Sequence, residues 1–553
     1  MIVDARQLAQ DETISTDNCI VGGGAAGIAL AIELAERGFG VVLLEGGGLL
    51  PDPLTQQLYA GENLGLAREH LEETRSRYLG GSTNCWGGWC RPLDDIDFED
   101  RPWIPDSGWP ITKSVLAPSY AKSQQWLQLP EVGYGLSEWA HSIASRHADL
   151  LPLDGTGLQN VLSQLSPPTR FGMQYRAKLN ALPNLKVFLF ANATRIVTDD
   201  SGANVESMEV ATLNNKRFSV HARYFTLACG GIENARLMLM SNQIQPAGVG
   251  NQHDVVGRYY MDHPRVKSHW LRLADARRFR SLYDATLHRI HTGRGKVSRD
   301  IEIHLAPTFE MQRALHLSNS RTYFVARHSN DLTKSFLALK ALQRAISGRS
   351  HFGYPRSRVL RDVLSQIPTL VLNAPTTALT VADVRFNSTR ARQYYSIETV
   401  FEPVPNRDSR ITLTGSRDAL GLPRVAVDWR LTEQDHDNFT RQTRLVLDGL
   451  AQAGIIDPLN GTHEGEAAWP DDIVGCWHHM GTTRMSADPR KGVVDADCRV
   501  HGMSNLFIAG SSVFPTVGSD SPTITLVALA LRLANKIAEE FSSAMFPPRR
   551  AAI

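Results

Sequence analysis

The sequence is poor in features that identify several common classes of protein. Its six cysteines (Cys19, Cys85, Cys90, Cys229, Cys476 and Cys498) form no CxxC pair and are too scattered for a disulfide framework. The same spacing offers no zinc-finger pattern, and we expect no metal site. A net charge of +1 without basic, aromatic-rich runs argues against a nucleic-acid partner.

Long apolar runs are also missing, so we predict no membrane span. The most apolar stretches carry Glu33, or Arg532 and Lys536, within them. Residues 1–17, MIVDARQLAQDETISTD, contain neither an apolar signal core nor a twin arginine. We therefore expect a cytoplasmic location. With 553 residues the chain is long enough for more than one structural unit.

The first 45 residues predict a strand, a glycine turn, a helix and a second strand. NCIV, GGGAAG, IALAIELAERG and VVLLE follow one another, and Gly22, Gly24 and Gly27 occupy the positions of GxGxxG. The helix start offers free N–H groups to a pyrophosphate. Glu45 ends the second strand, where an acidic side chain binds ribose hydroxyls. Dinucleotide binding is predicted, and this unit alone leaves NAD and FAD open.

Two further segments continue the same architecture. LKVFLFANATRIV and ARYFTLACGG are predicted strands, IENARLMLMSN is a predicted helix, and NLFIAG precedes an apolar helix starting at Pro522. The region between them contains the strand-like runs TALTVADVRF, QYYSIETVFE, SRITLTG and PRVAVDW, and the helix TEQDHDNFTRQTRLVLDGLAQAG. We predict an α/β fold with a Rossmann-like domain (1–109, 185–263 and 471–553). A β-sheet-plus-helix substrate domain (110–184 and 264–470) is inserted in it.

Taken together, the motifs resemble those of the glucose–methanol–choline (GMC) flavin oxidoreductases. The resemblance rests on five stretches that occur in the family's order: VGGGAAG…LLEGG, YLGGSTNCWGG (78–88), LACGGIENARLML (227–239), HHMGTTRM (478–485) and SPTITLVALALRLA (521–534). GWPITKSVLAPSY and PNRDSRITLTGSRDALGLPR are most similar to bacterial sugar and polyol dehydrogenases of the family.

The resemblance implies FAD, held non-covalently, and oxidation of a sugar, polyol or other hydroxylated ring. The electron acceptor stays open between O2, a quinone and a protein, and we favour a dehydrogenase. Two alternatives remain: a flavin lyase of the same family without net redox, and a flavin-binding subunit without catalysis. The cofactor contacts that the resemblance implies are Gly22, Gly24, Ala25, Ala26, Gly27, Glu45, Gly80, Gly81, Ser82, Asn84, Cys85, Trp86, Gly87, Thr194, Ala228, Gly510, Ser511, Pro522 and Thr523.

The adjacent histidines of GCWHHMGTTRM pose the question of which one transfers protons. A neutral histidine suits a base that takes a hydroxyl proton, because its ordinary pKa lies near working pH. The family register, three positions before Gly-Thr, falls on His478. His479 is expected to point away and pack. His263, in YYMDHP, is expected to be structural.

Two positions depart from the family pattern. Ser521 stands where Asn or His usually precedes Pro-Thr as the second catalytic residue. A water could bridge to the substrate, the substrate could supply its own orienting group, or His478 could act alone. Ser521 also suits a helix N-cap with Pro522 as first helical residue. Cys85 replaces a flavin-linked histidine of some relatives, and we expect an inert buried thiol rather than a cysteinyl linkage. Thr523 N–H is the expected contact to the flavin N1–C2=O edge.

Overall fold

The computed structural model describes residues 1–67, 69–145, 149–275, 301–327, 356–375, 394–456 and 473–545, with isolated positions at 279, 282–283, 338–339, 342, 377–378 and 469. Most of the strand-like run TALTVADVRF (377–386) lies outside the described residues. None of the helices in the described part combines the length and hydropathy that crossing a bilayer requires.

The strands of the described residues form three sheets. They are β1 Ile2–Asp4, β2 Glu12–Val21, β3 Val41–Glu45, β4 Glu62–Asn63, β5 Trp89–Cys90, β6 Leu158–Leu165, β7 Leu185–Leu189, β8 Asn192–Thr198, β9 Val205–Ala211, β10 Arg217–Leu227, β11 Pro264–Leu271, β12 Ile301–Pro307, β13 Ser320–Arg327, β14 Tyr394–Phe401, β15 Arg410–Arg417, β16 Pro423–Asp428, β17 Val474–Gly475 and β18 Leu506–Ile508.

The α-helices of the same residues connect and cover these sheets. They are α1 Ala25–Glu36, α2 Pro53–Gln56, α3 Asp95–Phe98, α4 Lys113–Trp126, α5 Ala140–Ala144, α6 Phe171–Gln174, α7 Arg176–Ala181, α8 Gly230–Met240, α9 Phe309–Ala314, α10 Arg356–Leu372, α11 Glu433–Gln452 and α12 Thr523–Met545.

The first sheet is the predicted nucleotide-binding sheet. Its order is β1-β7-β3-β2-β10-β9-β8, with β18 also beside β10. The pairs from β1 through β10, and β10 with β18, are parallel, whereas β8, β9 and the start of β10 are antiparallel. The parallel strands are apolar because helices cover the sheet: α1 is buried along nearly its whole length and packs against α12. The predicted Rossmann-like fold is confirmed.

The predicted run LKVFLFANATRIV is two strands rather than one. Phe190, between β7 and β8, has φ +58°, a left-handed backbone that ends the first strand. The chain therefore leaves the parallel register after β7 and enters the antiparallel β8–β9 pair. The apolar pattern continues through the break because both strands contribute to the same sheet, which explains why the sequence predicts one element.

The second sheet is antiparallel and lies beside the first unit. Its order is β17-β11-β14-β13-β12-β6-β5, and it packs on a separate hydrophobic cluster that includes residues of α11. Most of its strands come from 110–184 and 264–470, while β5 and β17 extend it from the flanking segments. Helix α4 of the 110–184 segment packs against α12 of the nucleotide-binding unit. A small third sheet joins β15, β16 and β4.

Candidate active site

The glycine turn between β2 and α1 has the shape that a dinucleotide site requires. Gly22 has φ +108°, and a Cβ there would lie 2.5 Å from the carbonyl oxygen of Ala228. A Cβ on Gly27 would lie 1.9 Å from the Gly22 oxygen, so helix and strand approach as closely as glycine permits. A Cβ on Gly24 would meet no atom within 4 Å. The turn is closed toward the sheet and open where a pyrophosphate would lie.

Glu45 lies at the carboxyl end of β3, beside this turn. Its two carboxylate oxygens accept N–H groups from Gly23 at 2.9 Å and Gly47 at 2.8 Å. Burial raises the pKa of Glu45, and these donors and Arg77 oppose the rise. Each oxygen keeps a further lone pair that can accept from a hydroxyl group. This is the arrangement expected of a ribose-binding acid.

The loop YLGGSTNCWGG closes over the turn although it lies more than fifty residues later in the chain. Gly80 N–H donates to the Gly23 oxygen at 2.7 Å, and Gly81 packs against Gly24. Asn84 Nδ2–H donates to the Leu79 oxygen at 3.1 Å and so braces the loop. The predicted cofactor contacts of the two segments are therefore neighbours in space. Trp86 Nε1–H donates to the Thr169 oxygen, and Ser82 and Gly87 flank it in the same loop.

Cys85 has the environment of an unreactive thiol. Its Sγ lies 3.5 Å from Ser76 Oγ and 3.3 Å from the Ser82 oxygen. Burial raises the pKa of the thiol, outweighing the lowering effects of Ser76 and Arg170. Because the thiolate is the nucleophilic form, this site favours the predicted inert thiol over a cysteinyl flavin.

The remaining predicted contacts lie on the same unit. Thr194 is in β8, where its hydroxyl donates to the Glu209 oxygen, and Ala228 follows β10 and backs Gly22. Ala25 and Ala26 form the first turn of α1. After β18, Gly510 leads to Ser511, whose hydroxyl donates to the backbone oxygen of His479 at 2.9 Å. The last contact holds the backbone of His479 against the segment that follows β18.

His478 makes one ring contact that the sequence did not indicate. Its Nδ1 lies 2.9 Å from Nδ1 of His263, and the two rings are nearly perpendicular. His263 Nε2–H donates to the carbonyl oxygen of Gly518 at 2.8 Å. Burial lowers the pKa of both histidines, and the neighbouring His263, His479 and Arg265 lower the pKa of His478 further. Both rings are therefore neutral near pH 7.

Asp262 holds the backbone on which His478 is placed. Its carboxylate accepts the N–H of Trp477 at 3.0 Å and that of His478 at 2.8 Å. Trp477 has φ +63°, a strained conformation for a bulky side chain, and these bonds stabilise it. Burial raises the pKa of Asp262 to about 7 against the effect of its backbone donors. Asp262 and His263 thus hold the backbone and the ring of one residue.

His479 lies on a different surface. Its ring is near that of Tyr260, with centroids 5.9 Å apart, and its backbone packs over Gly231. Burial lowers its pKa to about 3, so it is neutral as well. These contacts agree with the expected packing role. The choice of His478 over His479 stays a prediction.

Ser521 follows Gly518, the acceptor for His263, by three residues. Ser521 is half-buried, whereas Asp520 is buried and contacts Arg321 Nη2 at 2.9 Å. Asp520 is thus directed into the protein. Helix α12 begins at Thr523, with the Pro522 oxygen accepting from Leu526 N–H, one residue later than predicted. Pro522 rather than Ser521 takes the N-cap position, because terminal propensity does not decide between adjacent residues.

A fully buried ion pair supports the Gly518 segment. Arg101 donates to both carboxylate oxygens of Glu402 at 2.7 Å, and neither side chain is exposed. Glu402 also accepts the N–H of Gly518 at 3.2 Å. Burial alone would raise the pKa of Glu402, but Arg101 outweighs it and the pKa is lowered. His263, Asp262, Gly518 and this pair were missed by sequence reasoning, which had only the YYMDHP segment as a weak signal.

The fold and the site define an α/β protein with a dinucleotide-binding site. The open face at Gly24, the buried acceptor at Glu45 and the free N–H groups of α1 and α12 fit the phosphates, ribose and flavin of FAD.

Comparison with known proteins agrees with the resemblance. Residues 405–530 match the model of the GMC oxidoreductase family. The 6'''-hydroxyparomomycin C oxidase of Streptomyces lividus is 24% identical over 95% of this chain and 92% of its own. The 2-methyl-1,2-propanediol dehydrogenase of Mycolicibacterium austroafricanum is 22% identical over 95% and 96%. A formate oxidase from Aspergillus oryzae RIB40, in a structure concerned with FAD modification, superposes with TM-score 0.56 at 17% identity, covering 97% and 100%.

The chain is thus similar to GMC oxidoreductases: the family model matches residues 405–530, and the two relatives extend the similarity over 95% of the chain at 24% and 22% identity. Its cofactor is FAD, and it is an FAD-dependent alcohol oxidoreductase. Because the similar proteins include oxidases and a dehydrogenase, the lyase and non-catalytic alternatives are not favoured.

Proposed function

We propose that His478 is the base of this oxidation. The O–H proton of the substrate passes to His478 Nε2, the C–H hydrogen leaves with its electron pair, and a C=O bond forms. Bound FAD would supply the acceptor for that hydride, at its N5 atom. The observation that carries the proposal is a neutral, half-buried ring whose Nδ1 is engaged by His263. Among the described residues no hydrogen-bond partner is found for Nε2, so this nitrogen is available to a substrate.

The substrate is a hydroxylated small molecule: a sugar, a polyol or another hydroxylated ring. The support is chemical, since two of the similar proteins are named for the hydroxylated compounds 6'''-hydroxyparomomycin C and 2-methyl-1,2-propanediol. We propose that the segments 1–109, 185–263 and 471–553 bind FAD, and that 110–184 and 264–470 shape the substrate site.

We also propose that Ser521 Oγ contacts the substrate oxygen. The support is its half-buried position beside the Gly518 segment, with Asp520 engaged by Arg321. Thr523 N–H, at the start of the 23-residue helix α12, is proposed to face the N1–C2=O edge of FAD. The other proposed cofactor contacts are those predicted from the sequence. Ser521→Ala should slow flavin reduction about tenfold if its hydroxyl orients the alcohol. Ser521→Asn, which restores the family residue, should retain activity.

The test of the function is an anaerobic flavin-reduction screen. The purified FAD-bound chain is mixed with sugars, polyols, aminoglycosides and aromatic alcohols, and bleaching of the oxidised flavin band is followed. Bleaching by at least one alcohol with formation of its carbonyl supports the proposal. Product formation with the flavin remaining oxidised would instead indicate a lyase, and no reaction with any class would contradict catalysis of alcohol oxidation.

We propose a dehydrogenase whose electrons pass to a quinone or a protein rather than to O2. The support is the similarity of GWPITKSVLAPSY to the dehydrogenase members of the family. Once reduced, the flavin is mixed with air-saturated buffer or with a soluble quinone. Faster reoxidation by the quinone supports a dehydrogenase, and rapid reoxidation by air with release of hydrogen peroxide would make the chain an oxidase.

A further inference from the structure

The hydrogen bond from His263 to a backbone carbonyl determines which nitrogen carries the proton in each ring of the histidine pair. Gly518 oxygen can only accept, so His263 Nε2 must carry the proton of their 2.8 Å hydrogen bond. A neutral His263 then presents an unprotonated Nδ1 to the His478 ring, 2.9 Å away. The donor of that second bond is therefore His478 Nδ1–H.

We infer that His263 is a positioning residue that selects the Nδ1–H tautomer of His478 and leaves Nε2 as the basic nitrogen. The inference deepens, and rests on, the proposed role of His478. In the opposite tautomer Nε2 would carry a proton and could not accept one from an alcohol. The hydrogen bonds that link Gly518, His263 and His478 thus engage Nδ1 of His478 and leave its Nε2 free to accept a proton from the substrate.

The surrounding groups keep this assignment in place. Burial lowers the pKa of His263, which disfavours the doubly protonated ring that would reverse the hydrogen bond. Asp262, the residue before His263, accepts the backbone N–H of His478 and so fixes the backbone from which the His478 ring projects.

The acceptor at the Gly518 end is equally restrained. Gly518 has φ +55°, and a Cβ there would lie 2.6 Å from Asp97 Oδ2. A residue with a side chain would therefore be strained at this position. The N–H of Gly518 donates to Glu402, which is held by Arg101. The carbonyl direction that orients His263 therefore derives from a buried ion pair.

Two substitutions of His263 separate positioning from packing. His263→Leu keeps most of the volume and removes both ring nitrogens. His263→Asn supplies an oxygen near the Nδ1 position that can accept from His478 Nδ1–H. The matched control is His501→Leu: His501 Nε2–H also donates to a backbone carbonyl, that of Ser486 at 2.9 Å, but the residue does not contact His478.

The kinetic readout is anaerobic flavin reduction by a substrate alcohol, which separates the limiting rate from the substrate Kd. His263→Leu should lower the rate roughly ten- to hundredfold, less than loss of a general base, with Kd within about twofold. His263→Asn should recover most of the rate, and His501→Leu should equal the parent. A parent-like rate in His263→Leu, or equal losses in the Leu and Asn variants, would overturn the inference.

The second readout does not depend on turnover. NMR of the holoenzyme with isotope-labelled histidine, assigned by loss of the signal in His478→Phe, reports which ring nitrogen carries the proton. A protonated Nδ1 in the parent and in His263→Asn supports the inference, whereas protonation at Nε2 in the parent overturns it. If no alcohol reduces the parent flavin, the proposed function fails while this measurement still decides the tautomer. If His263→Leu does not fold, His263→Asn and the spectrum decide it.

Discussion

Glu402→Gln tests how much the buried ion pair beneath the site contributes to stability. Arg101 and Glu402 are both 0% exposed and joined by two 2.7 Å hydrogen bonds. Removing the carboxylate charge leaves a guanidinium buried without its counter-charge, which costs about 3–5 kcal/mol. The pKa of Asp97 is raised to about 8, first by burial and then by the negative charges of Glu402 and Asp94. Without the Glu402 charge, Asp97 would ionise more readily and offset part of the cost. We therefore expect Glu402→Gln to lower the free energy of unfolding by about 3 kcal/mol.

The control is an exposed pair with equally short contacts. Arg313 Nη2 lies 2.7 Å from both oxygens of Glu99, but the side chains are 46% and 43% exposed. Glu99→Gln should cost only about 0–1 kcal/mol, because water already solvates both charges. Urea unfolding followed by tryptophan fluorescence compares the two variants in parallel.

A double replacement separates burial from charge. Arg101→Met combined with Glu402→Met should be more stable than Glu402→Gln, because neither partner is left unpaired. Equal, small shifts of the unfolding midpoint for Glu402→Gln and Glu99→Gln would refute the reasoning. So would a double variant less stable than Glu402→Gln.

Three further predictions concern the site. Burial, His263, His479 and Arg265 hold the pKa of His478 well below the ordinary value of about 6.5 for histidine, and the neutral ring is the active form. The acid limb of kcat/KM should therefore fall below pH 6.5, and a midpoint at or above that value would contradict the burial argument. Glu45→Gln should weaken FAD binding roughly tenfold, measured by titrating apoprotein with FAD, since the acceptor beside the turn loses its charge. Acid precipitation should release all flavin from the parent and from Cys85→Ala alike, and flavin retained by the parent alone would reveal a cysteinyl link.

Local patterns were sufficient for the glycine turn and the elements that flank it. The turn at Gly22 and Gly27 requires glycine for steric reasons that act within a few residues, so β2, α1 and β3 could be predicted from spacing. Boundaries were less certain where the pattern continued through a break, as at Phe190, or where two neighbouring residues both suit a helix start, as at Pro522.

The arrangement around His478 could not be predicted in the same way. His263 lies 215 positions from His478 and 255 from Gly518, and Glu402 lies 301 from Arg101. Contacts between residues so far apart in the chain leave no periodic pattern in the sequence, because the local pattern around each residue reflects only its own helix, strand or turn. Family register selected His478, but only the folded chain shows what its ring contacts.

The most direct test of the central claim compares the same substitution at adjacent positions. His478→Phe and His479→Phe each keep a ring and remove its nitrogens, and anaerobic stopped flow gives the rate of flavin reduction by a substrate alcohol. The account predicts a loss of roughly a hundred- to ten-thousandfold for His478→Phe, the usual contribution of a general base, and a rate within a few-fold of the parent for His479→Phe. Equal rates in the two variants, or a larger loss for His479→Phe, would contradict it.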